Sequence, residues 1–241
     1  MINMISVCMA TYNGETYLKP QIDSILKNLS INDELVISDD GSTDKTIEYI
    51  NEYLKKDSRV KLIKGPRKGF VKNFENAMNH SKGKYIFLAD QDDIWSDNKV
   101  QQVMRCFSES NATLVVHDCR VIDEQGKIIE PSFFKLKKSG PGIVHNLIRN
   151  SYIGCCMAFN RDLLKVALPI PSKVPFHDEW LGLINDVIGK TVFLPQVLFS
   201  YRRHGDNISP MHHSSIFNMI KVRLIFGTEI IKRIRKEKCL K

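Results

Sequence analysis

"YIFLADQDDIW", residues 85–95, runs from apolar side chains straight into acids. Tyr85 to Ala89 has the length and composition of a buried strand. Asp90, Gln91, Asp92 and Asp93 follow with no basic residue among them. Like charges this close repel, and each raises the pKa of its neighbours. A hydrophobic strand ending in such a cluster calls for something to neutralise it. A divalent cation carrying phosphate oxygens is one candidate, because hard cations take carboxylate ligands. Strand residues two apart share a face, so Asp90 and Asp92 are expected to point together and Asp93 away. Asp93 and Asp97 would then be free to cap a helix starting near residue 97.

Working outward, the same strand-then-polar pattern recurs. "NMISVCMA" (3–10) reads as a first strand and delivers Thr11, Tyr12 and Asn13. "ELVISDD" (34–40) is a second and ends in Asp39 and Asp40. "RVKLIK" and "ATLVVHD" are further strands, with "YIFLAD" between them. Amphipathic helices separate them: Leu18, Ile22, Ile25 and Leu26 on one, Ile47, Ile50 and Leu54 on the next, then "FVKNFENAMNHS", then Val100, Val103, Met104 and Phe107. Ser42, Thr43 or Asp44 can cap the second helix. This alternation predicts an α/β fold, Rossmann-like, with a mainly parallel sheet and helices on both faces. Past residue 118 the alternation fails. "CRVIDEQGKII" looks like a hairpin, "GCCMAF" a short strand, "HDEWLGLINDVIG" a helix and "TVFLPQVLFSYRRH" one or two strands. The division expected is a βαβ part over about 1–118, a second part over about 119–212 and a tail over 213–241.

Composition excludes several classes. The 241 residues, 43% hydrophobic, suit one globular domain with a short appendage. No run of apolar residues is long enough to cross a bilayer. The N-terminus lacks a basic leader region, so a cytoplasmic protein is expected. Six cysteines without a CxxC pair argue against a zinc site and for reduced, structural thiols. The net charge of +8 is uneven: residues 216–241 carry eight basic side chains against Glu229 and Glu237. Basic charge is not spread over the body, as nucleic-acid binding would require.

In open α/β sheets ligands sit outside the carboxyl ends of the strands, where Thr11, Asp40 and the Asp90–Asp93 cluster are expected. Asn13-Gly14 and Asp40-Gly41 are also good turn pairs, and Asp39 and Asp40 could cap a helix. Asp90 and Asp92 gain nothing from capping.

"ISVCMATYNGETYL", "LVISDDGSTDKT", "GKYIFLADQDDIW" and "HDEWL" occur in the order and rough spacing of the family 2 glycosyltransferases. The resemblance covers residues 3 to about 209. "KGFVKNFENAM" and "YRRHGDNIS" (201–209) resemble most the rhamnosyltransferase-like branch of bacterial surface-polysaccharide enzymes. It implies the GT-A fold and inverting transfer from a nucleoside-diphosphate sugar (UDP or dTDP) to a saccharide hydroxyl, the acceptor free or lipid-linked.

The resemblance also implies roles. Thr11, Tyr12, Asn13 and Asp40 look like the base and ribose pocket. Asp90, Gln91 and Asp92 look like the DxD motif, with Asp92 on Mn2+ or Mg2+ and Asp90 or Gln91 near the ribose or a metal water. Asp178 looks like the catalytic base, with Glu179 as its competitor and an ordinary helix N-cap as the structural alternative. One departure is His177, where the family usually has an acid. His204, with Arg202 beside it, is a candidate third metal ligand or diphosphate contact. Asn73 and Lys72 are candidate nucleotide contacts, though a solvated helix face explains Lys72 equally. Cys155 and Cys156 read as small core residues.

The tail mixes Phe217, Ile220, Leu224, Ile230 and Ile231 with its basic residues. It is either an amphipathic helix docked on the body or a peripheral membrane helix facing anionic lipid. Two rival functions remain at this level. A sugar nucleotidyltransferase would need a basic Gly-rich loop, but "ATYNGETYL" has no basic residue. A non-catalytic nucleotide-sugar-binding protein would not need Asp90, Asp92 and Asp178 together.

Overall fold

The structure, a computed structural model, describes residues 4–205 and 216–239, the side chains of 216, 238 and 239 excepted. The start of the expected first strand at residue 3, the 206–209 end of the last motif and the tail boundary at 212–213 lie outside the described residues.

In chain order the elements are β1 Ile5–Thr11, α1 Leu18–Leu26, β2 Glu34–Asp39, α2 Thr46–Lys56, β3 Val60–Lys64, α3 Phe70–His80, β4 Tyr85–Ala89, β5 Ile94–Trp95 and α4 Lys99–Ser110. Then come β6 Leu114–Ile122, β7 Ile128–Glu130, α5 Phe133–Lys137, α6 Ile143–Ile148, a 3-10 turn Gly154–Cys156, β8 Met157–Asn160, α7 Asp162–Ala167, α8 His177–Ile188, β9 Thr191–Arg202 and α9 Ile216–Cys239. The described strands form one sheet in the order β3-β2-β1-β4-β8-β6-β9-β5, with β7 on β6. β3, β2, β1 and β4 are parallel, as the alternation predicts. β1 and β2 are buried on both faces, so helices must cover both.

Residues 114–118 form a strand, but not beside β4. β8 is wedged between β4 and β6, antiparallel to both. Its register pairs Phe87 with Ala158, and continuing it sets Asp90 opposite Cys155. The start of β8 therefore lies at the carboxyl edge of β4. β9 is a single strand, parallel to β6 and antiparallel to the two-residue β5. The β5 register pairs Ile94 with Ser200, which carries Arg202 to Asp92. The expected hairpin is β6–β7.

Several capping expectations fail. The N-cap positions of α2 and α4 are Lys45 and Asn98, and neither makes a side-chain cap bond. Asp39, Asp40 and Asp93 are used elsewhere. Asp44 does accept the Thr46 N–H. Phe176, not Asp178, is the N-cap of α8. Leu181 and Ile184 are buried as expected, but Ile188 at the end of that helix is 45% exposed.

The tail helix packs on α8 and α6. Phe226 and Ile230 are buried there. Arg233 donates to the Val166, Leu168 and Pro169 carbonyls and lies over the Trp180 ring. The inner face of α9 is thus docked, while Phe217, Ile220 and Leu224 face outward. Among the described residues no helix is long and apolar enough to cross a membrane.

Candidate active site

The extended-strand reading of residues 90–93 stops at Ala89, where β4 ends. Beyond it the chain turns, and the alternation of faces is lost. Asp90 meets Asp93 here: the Asp90 and Asp93 carboxylates and the Cys155 Sγ all lie within 4.8 Å of one another. Burial, then the charge of Asp92, pushes the Asp90 carboxyl above its usual range. Asp93 is fully buried and raised for the same reasons, with Asp90 adding to the effect. One Asp93 oxygen accepts the Arg202 N–H at 2.9 Å, and the other has no hydrogen-bond partner among the described residues. Cys155 and Cys156 are buried, as read, but Cys155 also belongs to this cluster.

Asp92 stands close to both, since its charge is the largest that acts on either acid. Its Oδ2 is 2.7 Å from His204 Nε2. β9 brings the histidine there, and Tyr17 packs on it with ring centroids 5.0 Å apart. Arg202 supports the turn, its Nε donating to the Asp92 carbonyl at 3.0 Å. Beneath the cluster is Lys99, fully buried. Its Nζ donates to the Cys155 carbonyl at 2.8 Å and sits 3.8 Å above the Trp95 ring. Burial brings its pKa down to about 8. A buried ammonium partly offsets the acids above it. Lys99 begins the stripe Lys99, Val103, Cys106 on α4, and that spacing was the only sequence signal for it.

The second wall comes from the first turn of α8. Asp178 Oδ2 accepts the Gly154 N–H at 3.1 Å, and its Oδ1 accepts the Glu179 N–H at 2.8 Å. Gly154 precedes Cys155, so one short 3-10 turn joins the Asp178 carboxylate to the acid cluster. The charge of Asp178 also contributes to raising Asp90. Glu179 points the other way. It is 2% exposed and ion-paired with Arg223 of α9. Burial pushes its carboxyl up to about 8, against the pull of Arg223. His177 is buried and stacked on Phe74 at 4.0 Å, with neither ring nitrogen hydrogen-bonded among the described residues. Burial holds its pKa down, so it is neutral.

The third group lies at the ends of β1 and β2. Thr11 is buried and donates to Asp39. Asp39 closes its own turn by accepting from the Gly41 and Ser42 N–H groups. Asp40 accepts from the Arg67 and Gly69 N–H groups at 2.5 and 2.9 Å. Gln91 pairs twice with the Tyr12 backbone, at 2.9 and 3.0 Å, which leaves the Tyr12 ring outside and 58% exposed. Asn13 takes a positive φ of 47° and accepts from the Thr43 N–H. Asn73 is buried, with its amide on the Thr11 and Ser38 carbonyls. Lys72 is not a solvated residue: it bridges Glu75 and the Ile170 carbonyl. Arg67 was not singled out from sequence. Its guanidinium lies against Gly41, where an added Cβ would meet Nε at 2.7 Å.

The model of "Glycosyl transferase family 2" matches residues 6–168. The chain belongs to that family. It is a glycosyltransferase with a GT-A-like fold. The chain is 30% identical over 216 residues to the Escherichia coli UDP-Glc:alpha-D-GlcNAc-diphosphoundecaprenol beta-1,3-glucosyltransferase WfgD, covering 86% of this chain and 79% of that one. It is 26% identical to the Pasteurella multocida chondroitin synthase over 86% of its own length, which is 21% of that enzyme. Among solved structures, S. aureus TarS 1–349 in complex with UDP-GlcNAc superposes with a TM-score of 0.73 at 17% identity, covering 94% of this chain and 66% of that one. The mannosyltransferase PcManGT from Pyrobaculum calidifontis, in complex with GDP-Man and Mn2+, gives 0.63 at 16% identity, covering 92% and 60%. The chain thus spans just under two thirds of these structural neighbours.

Proposed function

We propose that this glycosyltransferase moves a hexosyl or deoxyhexosyl group from a nucleoside-diphosphate sugar to a saccharide hydroxyl, with inversion, in bacterial polysaccharide synthesis. The observation that carries this is the meeting of Asp90, Asp92–His204 and Asp178 at one edge of the sheet, beside the strand-end residues Tyr12, Asp40 and Arg67. Tyr12 lies along the base, and Asp40 with Arg67 reads its edge. Asp40 retains acceptor capacity for this, since a carboxylate offers about four lone-pair sites. Gln91, Asn13 and Asn73 act by fixing the loops that bear Tyr12 and Thr11.

The carboxylates of Asp92 and Asp90 suit Mn2+ or Mg2+, the His204 imidazole favours Mn2+ of the two, and the orphaned Asp93 oxygen supports a cation nearby. Asp92 and His204 would hold the ion, with Asp90 toward it. When bound it supplies charge neutralisation for the diphosphate leaving group. Asp178 takes the proton of the acceptor hydroxyl as that oxygen attacks the anomeric carbon from the face opposite the diphosphate.

The acceptor is proposed to be a lipid-linked saccharide, in line with the acceptor that the WfgD name prints. The enzyme then works at the cytoplasmic membrane surface through peripheral contact by residues 216–241. We keep the proposed division into a nucleotide-binding part to about residue 118, an acceptor-side part beyond it and the tail.

A panel of UDP-, dTDP- and GDP-sugars, assayed with Mn2+, Mg2+ or EDTA, tests the proposal. One donor should turn over with metal, and the product should have the anomeric configuration opposite to the donor's. No release of nucleoside diphosphate from any donor, with a lipid-diphosphate saccharide present, would refute it. Binding should also depend on pH. The Asp90 pKa is raised to about 7, so below that value a proton must leave before the ion binds. Affinity for metal and nucleoside diphosphate should therefore fall up to about tenfold per unit below pH 7 and level off above it. Titration calorimetry giving the same affinity at pH 5.5 and 8 would contradict this.

A further inference from the structure

Residues 127–149 hold a basic, apolar surface that is separate from the tail in sequence. Lys127, Lys135, Lys137, Lys138 and Arg149 stand there against one acid, Glu130, and all five are exposed. Val144 and Ile148, one turn apart on α6, are 67% and 72% exposed. Leu136 on α5 is exposed as well. The body is therefore not neutral throughout: its small excess of positive charge is concentrated on this segment.

The fold brings this segment to the tail. α6 packs against α9, whose outer face exposes Phe217, Ile220 and Leu224 with Lys221 and Lys232 beside them. Lys173, from the loop before α8, lines a hollow along this face together with them, where Glu229 pairs with Lys232 and leaves Lys221 and Lys173 as the cations. Large exposed apolar residues interspersed with lysine and arginine are what an interfacial surface needs: apolar side chains enter the headgroup region while cations pair with anionic lipid.

The segment is also firmly held. Asn146 is buried and donates to the Gly140 and Gly142 carbonyls, and it accepts the Ser151 N–H. Three residues after Ser151 the chain reaches Gly154, which donates to Asp178. The surface thus leads by a short, braced stretch to the candidate base.

We propose that α5 and α6, together with the outer face of α9, form one docking surface for an anionic lipid bilayer, set beside the acceptor side of the site. The proposal rests on the reading of α9 as a peripheral membrane helix and extends it to the body. Docked through both elements, the enzyme would face a lipid-linked saccharide with its acceptor side toward the membrane.

The test is co-sedimentation of the full chain with phosphatidylcholine vesicles, with and without phosphatidylglycerol, at low salt. Wild type should pellet with the anionic vesicles and be released by added salt. Val144→Ser/Ile148→Ser and, separately, Lys135→Glu/Lys137→Glu/Lys138→Glu should each weaken partition by at least about fivefold, the size expected for one lost basic contact. Both variants change exposed side chains, and unchanged nucleotide affinity checks their fold. If both bind vesicles like wild type while Phe217→Ser/Leu224→Ser does not, the extension to the body is wrong and the tail reading stands. If wild type stays in solution, the tail reading falls and this proposal with it. If the α5–α6 variants turn a dimer into a monomer and leave vesicle binding unchanged, the surface belongs to a second copy of the chain and the lipid assignment is overturned.

Discussion

Asp178→Asn is expected to lower sugar transfer by about 10²–10⁴, the range for loss of a general base, while nucleoside diphosphate binds as before. The substitution is close to isosteric. Asn keeps one of the two acceptor oxygens that hold the Gly154 and Glu179 N–H groups, so the start of α8 should stay in place. What is lost is the lone pair that takes the acceptor proton. Glu179→Gln should cost much less rate, because that carboxylate is buried and paired with Arg223. Its effect should appear in thermal stability, since it leaves Arg223 without its partner. Near-normal turnover by Asp178→Asn in single-turnover assays would remove the base assignment and make Glu179 the next residue to test.

Asp92→Asn should weaken metal-dependent binding of nucleoside diphosphate by about 100-fold or more, at least the loss seen when only an outer-shell partner of a metal ligand is removed. The pair with His204 at 2.7 Å already joins two groups of the type that a Mn2+ or Mg2+ ion accepts. Removing the charge of Asp92 takes away the main anionic ligand of the proposed ion, and it should also relax the raised pKa of Asp90, which Asp92 helps to hold up. The residual binding of the variant should be the same with and without EDTA. Calorimetry showing that wild type itself binds equally well in EDTA would remove the metal from the mechanism.

The parallel half of the sheet was legible in the sequence because local pattern encodes it. Strand-length apolar runs at Ile5–Thr11, Glu34–Asp39 and Tyr85–Ala89 alternate with helical periodicity, and a chain that alternates in this way closes into βαβ units. The same pattern put Thr11, Asp40 and Asp90 at strand ends, and the ordered motifs gave the family. How residues 90–93 are used was not legible. The face each acid takes depends on where β4 stops, and β4 stops at Ala89, where the start of β8 lies beside it.

Tertiary structure alone decided the rest. Cys155 meets Asp90 because β8 runs antiparallel beside β4, some 70 residues away in the chain, and no local propensity specifies that pairing. Lys99 and Arg67 are ordinary charged residues in their own windows. They became part of the site only when burial removed water from one and the Asp40 turn drew the other over Gly41. The tail's docked face was left open between body and membrane because an amphipathic stripe fixes which residues seek burial, not what buries them. The side of α9 that carries Phe226 and Arg233 found α6 and α8, and Phe217 and Leu224 were left outside. The sequence by itself determined the strands, the helices and the chemistry at their ends. Which of those ends share a site was decided by long-range strand order and burial, whose energies depend on contacts between residues far apart in the chain.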